Sequence, residues 1–409
     1  MKRTKLIKSL IFFLAFVLLS CKETPIGPEK KEDISPQINI PWQSLADSPW
    51  PMQHHDPQST GRSKYAGPQN GVVSKKVYIG ISESGISIGY NSTIFVGTDY
   101  SPNNFYALNY EGSIKWMKTG IVSRATPLIS FDSTIYIGDD NYFYAFSEKG
   151  DSLWSYLIKD RTVGVGINID KEGNLYCIDY NHDLIVLTKD GKLKWKVHDE
   201  RILQWVDAAP TFSPDGKTLY VQGIDVSVLA IDINTQTVKW TFGDKEQLSS
   251  PVIDNEGSIF IIPGSQWFSN YRKLYSINSE GAINWEFNFI ANTLWDNTEP
   301  TIDYNGNIYF GADTLYSLSN SGKLRWKINL GSVIISPLIS DKNNVVYVGT
   351  RNRTTGDNKI FAVNDRGKVL WEILDTEERA LGVSPAISED EILFYPTWDN
   401  NNGVYFIIK

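Results

Sequence analysis

The chain has 409 residues, a formal net charge of −8, 41% hydrophobic and 21% charged residues, a composition typical of a folded globular protein. The negative charge argues against a nucleic-acid partner, which needs a concentrated basic face. Two cysteines and four histidines are too few for a disulfide framework or a histidine-rich metal site.

The first 21 residues have the features of an export signal. Four basic residues lie within the first eight positions, and the apolar run that follows, Leu10 to Leu19, is shorter than the roughly 20 residues that span a bilayer. The run ends at Cys21 in a sequence that resembles a bacterial lipobox. We therefore expect residues 1–21 to be a lipoprotein signal peptide and Cys21 to carry the lipid. The alternative is an ordinary signal peptide in which the cysteine is incidental.

The next two segments differ in composition. Residues 22–49 contain five prolines and many charges without apolar periodicity, so we expect a disordered tether. By resemblance to the enterobacterial sorting rule, Lys22 after the cysteine favours the outer membrane, with the side of the membrane left open. Residues 50–80 are predicted to form a clip on the folded body and a closing strand. A metal or acid–base role for the run His54-His55-Asp56 is the alternative.

A repeat covers residues 81–409. Eight copies of a short apolar-aromatic strand occur at Thr93–Gly97, Thr134–Gly138, Asn174–Cys177, Leu219–Val221, Ile259–Ile261, Ile308–Gly311, Val346–Gly349 and Leu393–Tyr395. Seven copies later carry a tryptophan, at Trp116, Trp154, Trp195, Trp240, Trp285, Trp326 and Trp371. Their spacing of 38 to 45 residues, with several short strands per copy and no helical periodicity, indicates propeller blades.

Each blade is predicted to contain four antiparallel strands, a to d, with a innermost. The eighth copy ends at Lys409, before a fourth strand, and an open seam would leave unpaired edges. The run from Val72 to Gly80 is predicted to supply the missing strand. The predicted fold is therefore all-β, an eight-bladed β-propeller of four-stranded antiparallel blades, closed by an N-terminal strand that completes the last blade.

One copy identifies a family. Residues 230–240 match the tryptophan-docking pattern A-x-D-x-x-T-G-x-x-x-W, with Gln236 in place of glycine. On these residues the chain resembles the PQQ-like repeat β-propellers, and the resemblance covers residues 50–409. It implies that the seven tryptophans pack between neighbouring blades as structural residues. The family contains both quinoprotein dehydrogenases and non-catalytic scaffolds, so the fold alone does not decide the function.

The residues argue against the enzyme class. Many dehydrogenases of this family stack the quinone on two adjacent cysteines and bind calcium with carboxylate and amide side chains. Here only Cys177 lies in the repeat region. The other copies of the repeat have apolar residues at the same position, so we expect Cys177 to be a small buried hydrophobic residue. Acidic turns such as Asp254–Gly257 and Asp303–Gly306 are predicted as hairpin turns rather than calcium loops. We expect no catalytic residue, cofactor or metal.

The lipobox, tether and propeller together resemble the BamB-type outer-membrane assembly lipoproteins. The resemblance implies a non-catalytic lipoprotein of the cell envelope that binds or scaffolds a protein partner and reaches the membrane through its lipid. A propeller that binds a saccharide or another small molecule is the alternative, and a PQQ-dependent dehydrogenase is less favoured.

The candidate binding face follows from blade geometry. The d–a and b–c loops leave a blade on one face, and the a–b and c–d turns leave it on the other. The loops of the first face carry non-repeat tryptophans and arginines, at Trp205, Trp267, Trp295, Trp398, Arg124, Arg161, Arg201 and Arg379. Both residue types are enriched at binding hot spots. Local capping of the blade cores is the alternative role.

Overall fold

A computed structural model describes residues 34–80, 84–99, 103–158, 166–204, 209–245, 249–264, 271–291, 299–352, 354–375, 383–397 and 404–409, with backbone alone for 397 and 404–406. None of the residues described forms a helix of the length and apolarity that crossing a membrane requires.

Eight antiparallel sheets form the ring, which confirms the predicted all-β, eight-bladed fold. We number the blades 1 to 8 in chain order. The innermost strands a are Ser87–Ile88, Leu128–Ile129, Asn168–Ile169, Thr211–Phe212, Val252–Ile253, Thr301–Ile302, Ile339–Ser340 and Ala386–Ile387. Strands b are Thr93–Gly97, Ile135–Gly138, Leu175–Ile178, Thr218–Gln222, Ile259–Ile261, Ile308–Gly311, Val346–Arg351 and Leu393–Thr397.

The outer half of each blade completes the sheet. Strands c are Asn104–Asn109, Tyr142–Phe146, Asp183–Leu187, Val228–Asp232, Tyr271–Ile277, Thr314–Leu318, Asn358–Val363 and Val404–Ile408. Strands d are Ile114–Thr119, Ser152–Leu157, Leu193–His198, Thr237–Phe242, Ile283–Ile290, Leu324–Asn329, Val369–Asp375 and, for blade 8, Val73–Tyr78. In blade 7 a further short strand, Val333–Ile334, pairs with the far end of strand b.

The repeated tryptophans join each blade to the next one. Six of them donate the indole N–H to a backbone carbonyl in the c–d turn of the next blade or, for Trp371, in the N-terminal segment. The pairs are Trp116–Glu148, Trp154–Lys189, Trp240–Ser279, Trp285–Asn320, Trp326–Asp365 and Trp371–Pro68, at 2.7 to 3.0 Å. The rings are half-buried because strand d is the outermost strand.

Blade 8 is completed by the N-terminal strand, as predicted. Val73–Tyr78 pairs antiparallel with Val404–Ile408, so the two ends of the chain meet in one sheet. Val77 of this strand packs against the c–d turn of the next blade, since a Cβ on Gly112 there would lie 2.4 Å from its side chain. In blade 8 strands c and d come from opposite ends of the chain, so no c–d turn joins them. Gly71, which precedes strand d, takes the place of that turn against the ring of Trp371.

The expectation of a disordered tether over residues 22–49 is wrong for residues 34–49, which pack against the a–b turns. The indole of Trp42 is 7% exposed and donates to the Ile169 carbonyl at 2.8 Å. The amide of Ala46 donates to the Ile129 carbonyl at 3.0 Å. The segment crosses several blades and makes different contacts on each of them. Contacts of this kind leave no periodic pattern in the sequence, which explains why composition alone misled.

Residues 50–61, the inner clip, lie inside the ring and cover the free edges of the innermost strands. In six blades the second residue of strand a donates its N–H to a clip carbonyl. The pairs are Ile88–Trp50, Ile129–Pro51, Phe212–Pro57, Ile253–Gln58, Ile302–Thr60 and Ser340–Gly61, at 2.7 to 3.2 Å. Unpaired strand edges promote wrong association. The clip pairs with the inner edges of the blades, and strand d of blade 8 pairs with the outer edge of the last one.

Candidate functional site

The predicted binding face is described in part. Arg124 and Arg201 fall within the residues that the structure describes. The six other predicted residues of the face, Trp205, Trp267, Trp295, Trp398, Arg161 and Arg379, lie outside them, as does the predicted lipidation residue Cys21. Their place on the face remains a prediction.

Arg124 connects two loops of this face. It lies in the d–a connection after blade 1, and its Nε donates to the carboxylate of Asp99, in the b–c connection of the same blade, at 3.0 Å. The Asp99 side chain is fully buried while Arg124 keeps about a third of its surface. A d–a loop and a b–c loop thus meet here, as the blade geometry requires. The guanidinium holds the two loops together and remains partly exposed.

A second charged corner lies between blades 3 and 4. Arg201 makes a two-pronged ion pair with Asp199 at 2.8 and 2.6 Å and is 46% exposed. Nearby, His198 faces the carboxylates of Asp183 at 2.9 Å and Glu200 at 3.2 Å. Hydrogen bonds to these two carboxylates raise the pKa of His198. Basic and acidic side chains therefore lie side by side at this end of the blade 3 sheet.

The centre of the ring holds a buried ion pair that the sequence analysis missed. His54 of the inner clip pairs with Glu299, which lies two residues before strand a of blade 6, and both side chains are almost fully buried. The amide of Ser250, from blade 5, donates to the second oxygen of Glu299 at 2.8 Å. The other ring nitrogen of His54 faces the Ser59 carbonyl at 3.4 Å.

The sequence did contain a signal for this pair. The residue before the opening proline of strand a is small in the other blades that have this proline, namely Thr126, Ala209, Ser250, Ser336 and Ser384, and it is Glu299 in blade 6 alone. A carboxylate near the ring centre, at a repeat position that otherwise holds a small residue, needs a buried partner for its charge. The His-His-Asp run in the clip offered that partner.

The directions of the two pKa shifts make this a charged pair between pH 4.5 and 6.5. Burial by itself would lower the pKa of His54, but the Glu299 carboxylate outweighs it and raises the pKa above 6.5. Burial would likewise raise the pKa of Glu299, but His54 and the Ser250 amide hold it below 4.5. Each charge thus stabilises the other across the clip, and the ion pair fastens the clip in the channel.

The residues that the structure describes do not form a quinone and calcium site of the dehydrogenase type. The sequence has no two adjacent cysteines. Cys177 lies buried in strand b of blade 3, where burial raises the pKa of its thiol well above 9. Within the described ranges, no three His, Cys, Asp or Glu side chains stand close enough to hold a metal ion.

The acidic a–b turns use their carboxylates internally. In blade 6, Asp303 accepts the amides of Asn305 and Asn307 at 2.9 and 2.8 Å. Its other oxygen accepts the hydroxyl of Tyr309 at 2.7 Å. Asp254 accepts amides two and four residues later in the same manner. These carboxylates shape their own turns, which supports the prediction of hairpin turns.

The sequence profile of a family described as outer membrane protein assembly factor BamB matches residues 159–312 and 272–397, together more than half of the chain. No curated protein sequence matches significantly.

Among solved structures, BamB from Moraxella catarrhalis superposes with a TM-score of 0.59 and 14% identity, over 82% of this chain and 97% of that one. A europium-containing methanol dehydrogenase superposes with a TM-score of 0.64 and 12% identity, over 87% and 90%. The quinohemoprotein alcohol dehydrogenase from Comamonas testosteroni gives 0.66 and 11%, over 90% and 81%. At such identities the structural likeness shows the fold, which scaffolds and enzymes share.

Proposed function

The chain belongs to the family of the outer membrane protein assembly factor BamB, and on that premise we propose that it is a non-catalytic protein of the cell envelope that binds protein partners in outer-membrane assembly. The family match carries this proposal. The lipobox at Cys21 supports attachment through a lipid, and Lys22 after it supports the outer membrane.

The structure supports a binding role in a second way. The inner clip lies in the centre of the ring, where its His54 is paired with Glu299. The face of d–a and b–c loops presents Arg124 and Arg201 partly exposed on rigid blade ends. Loops held by a rigid scaffold are common sites of recognition, and arginine is enriched at hot spots. We propose that this face, together with Trp205 and Trp295, contacts the partner.

In-cell crosslinking followed by affinity purification and mass spectrometry tests the proposal. We expect the wild-type protein to capture components of the outer-membrane barrel-assembly machinery. Arg201→Glu, and Trp205→Ala combined with Trp295→Ala, should each lower the captured amount about tenfold, the effect expected of a hot-spot residue.

Lys192→Glu is the matched control for Arg201→Glu. It reverses an exposed charge in the c–d turn of blade 3, on the opposite face, and should leave capture unchanged. Absence of barrel-assembly components from the wild-type capture would overturn the proposed partner. Equal loss in the control and in Arg201→Glu would overturn the assignment of the face.

The dehydrogenase alternative has a direct assay. We expect no dye-linked oxidation of methanol or ethanol after incubation of the purified protein with PQQ and either Ca²⁺ or Eu³⁺, because the adjacent cysteines are absent and the described carboxylates serve their own turns. Sustained dye reduction above that of a heat-denatured sample would reject the non-catalytic proposal.

A further inference from the structure

Two of the four histidines of the chain meet at one end of blade 3, on the face of the d–a and b–c loops. His182 lies in the b–c connection, directly before strand c, and His198 is the last residue of strand d. Nε2 of His198 lies 3.2 Å from one oxygen of Glu200, and Nε2 of His182 lies 3.7 Å from the other oxygen. We call these three side chains the blade 3 cluster. The other two histidines belong to the clip, so the repeat itself does not require a histidine here.

The surroundings determine which nitrogen of each ring carries the proton. Nδ1 of His182 lies 2.7 Å from the Ile202 carbonyl oxygen, and Nδ1 of His198 lies 2.9 Å from the Asp183 carboxylate. Carbonyl and carboxylate oxygens only accept hydrogen bonds, so Nδ1 is the protonated nitrogen in both rings. In the neutral form of each ring Nε2 then has a lone pair and is an acceptor. Both acceptors lie beside the Glu200 carboxylate.

Three hydrogen-bond acceptors therefore face one another when both rings are neutral. Two lone pairs and a carboxylate repel each other electrostatically unless a positively charged donor lies between them. A metal ion does not fit, because no three such side chains of the described ranges stand close enough to hold one. An ammonium group has three N–H donors and no acceptor, and its hydrogen bonds are longer than metal–ligand bonds. It suits three acceptors at this wider spacing.

The cluster is accessible from outside and its two histidines are held in place. The side chains of His198 and Glu200 are 53% and 78% exposed, and that of His182 is 17% exposed. The amide of Asp199 donates to the His182 carbonyl at 3.2 Å, which joins the d–a connection to the b–c connection. A side chain from another protein can therefore reach all three acceptors without rearranging the blade.

The charge around the cluster favours a cation. The charged side chains at this corner are Asp179, Asp183, Asp199, Glu200, Lys196 and Arg201. Lys196 pairs with Asp183 and Arg201 pairs with Asp199, each at 2.6 Å. Among the residues that the structure describes, Glu200 has no lysine or arginine partner.

We propose that a lysine of the partner protein places its ammonium group in the blade 3 cluster and donates to Glu200, His182 and His198. The inference rests on the proposed function and adds the chemistry that a partner must present at this part of the face.

Protons compete with the lysine for the same place. Protonation of either ring puts an N–H donor on Nε2, which satisfies Glu200 and repels an ammonium group. Hydrogen bonds to Asp183 and Glu200 raise the pKa of His198 above 6.5, so this ring is protonated at pH 6.5 and becomes neutral as the pH rises through the raised value. Lysine binding should therefore be strongest above that value and weaken as the pH falls.

Histidine NMR tests the proposal on the full-length protein in detergent micelles. The chain has four histidines, so ¹⁵N-histidine labelling gives a spectrum simple enough to assign with His182→Gln and His198→Gln. The probe is Nα-acetyl-lysine methylamide. Its Nε-trimethyl derivative is the matched control, because it keeps the charge but has no N–H donor on the ammonium group.

At about pH 8.5, where neutral histidine predominates, we expect the lysine probe to shift the ring signals of His182 and His198 saturably. A dissociation constant in the millimolar range is expected for so small a ligand. At about pH 5.5 the binding should be at least tenfold weaker. The signals of His54 and His55, which are buried in the clip, should stay in place, and the trimethyl derivative should give no saturable shift.

Variants connect the cluster to partner binding. Glu200→Gln should weaken binding of the lysine probe about three- to tenfold, the loss of one charged hydrogen bond at an exposed site. It should lower the capture of barrel-assembly components by a similar factor. Glu280→Gln changes an exposed carboxylate in the c–d turn of blade 5, on the opposite face, and should change neither. Because both glutamates are exposed, both variants should fold normally.

Three results with the probe would overturn the proposal: no saturable shift, equal binding of the trimethyl derivative, or binding that is as strong at the lower pH. Capture that Glu200→Gln leaves at the wild-type level would overturn the contact with the partner. The two proposals fail separately, because the probe titration needs no partner, whereas absence of barrel-assembly components from the wild-type capture rejects the proposed function itself.

Discussion

Replacing His54 by leucine is expected to destabilise the protein by about 3–5 kcal/mol, the cost of breaking a buried ion pair and leaving Glu299 without its partner. The physical reason is the position of both side chains, which are buried at the ring centre. Urea denaturation followed by circular dichroism measures the change. A loss below about 1 kcal/mol, the value of a surface pair, would contradict the buried position.

The repeat itself supplies the control. Glu299→Ser installs the residue that Ser250, Ser336 and Ser384 provide in other blades. The double variant His54→Leu/Glu299→Ser removes both charges, and we expect it to regain most of the stability lost by His54→Leu, since removing a whole buried pair is often neutral. Additive losses instead of recovery would show that the two residues act independently.

The pair also predicts a pH dependence. The pKa of His54 is raised above 6.5, so its contribution is complete below pH 6.5 and is lost as the pH rises through the raised value. The pKa of Glu299 is lowered below 4.5, so its contribution is complete above pH 4.5 and is lost as the pH falls. The stability difference between wild type and the double variant should therefore peak between pH 4.5 and 6.5. A flat profile would contradict a charged pair.

Gly191→Ala is the second large effect, with an expected loss of about 2–5 kcal/mol from left-handed backbone and overpacking together. Gly191 has φ +75°, and a Cβ there would lie 2.5 Å from the ring of Trp154. The ring cannot move aside freely, because its N–H is bonded to the Lys189 carbonyl at 2.9 Å. Denaturation midpoints of the variant and the wild type measure the loss.

Gly257→Ala separates the two causes. Gly257 has a similar φ of +85°, but a Cβ there would meet nothing within 4 Å. We expect it to cost only the backbone share, about 1–2 kcal/mol. In a Trp154→Ala background the excess cost of Gly191→Ala should disappear. Equal losses for the two glycine variants would show that the overlap of the Gly191 Cβ with Trp154 costs nothing.

The repeat made much of the fold predictable. The period of the apolar-aromatic strands set the number of blades, and the missing eighth d strand required Val73–Tyr78 to complete the ring. The docking role of the tryptophans followed from the pattern around Trp240, where Gln236 adopts φ +58° in place of glycine. The burial of Cys177 followed from the apolar residues at the same position in the other copies of the repeat. These features repeat along the chain, so each copy supports the others.

The remaining features depend on contacts that occur once. Residues 34–49 were expected to be a tether because their composition is polar and proline-rich, yet Trp42 and Ala46 pack on separate blades. The pairing of His54 with Glu299 joins residues 245 positions apart, and only the closed ring brings them together. The sequence by itself determined the blades, their number and their seam, because these follow from local strand patterns repeated at a fixed period. The tertiary structure alone decided how the N-terminal segment crosses the ring, since that path depends on which blades face one another across the channel.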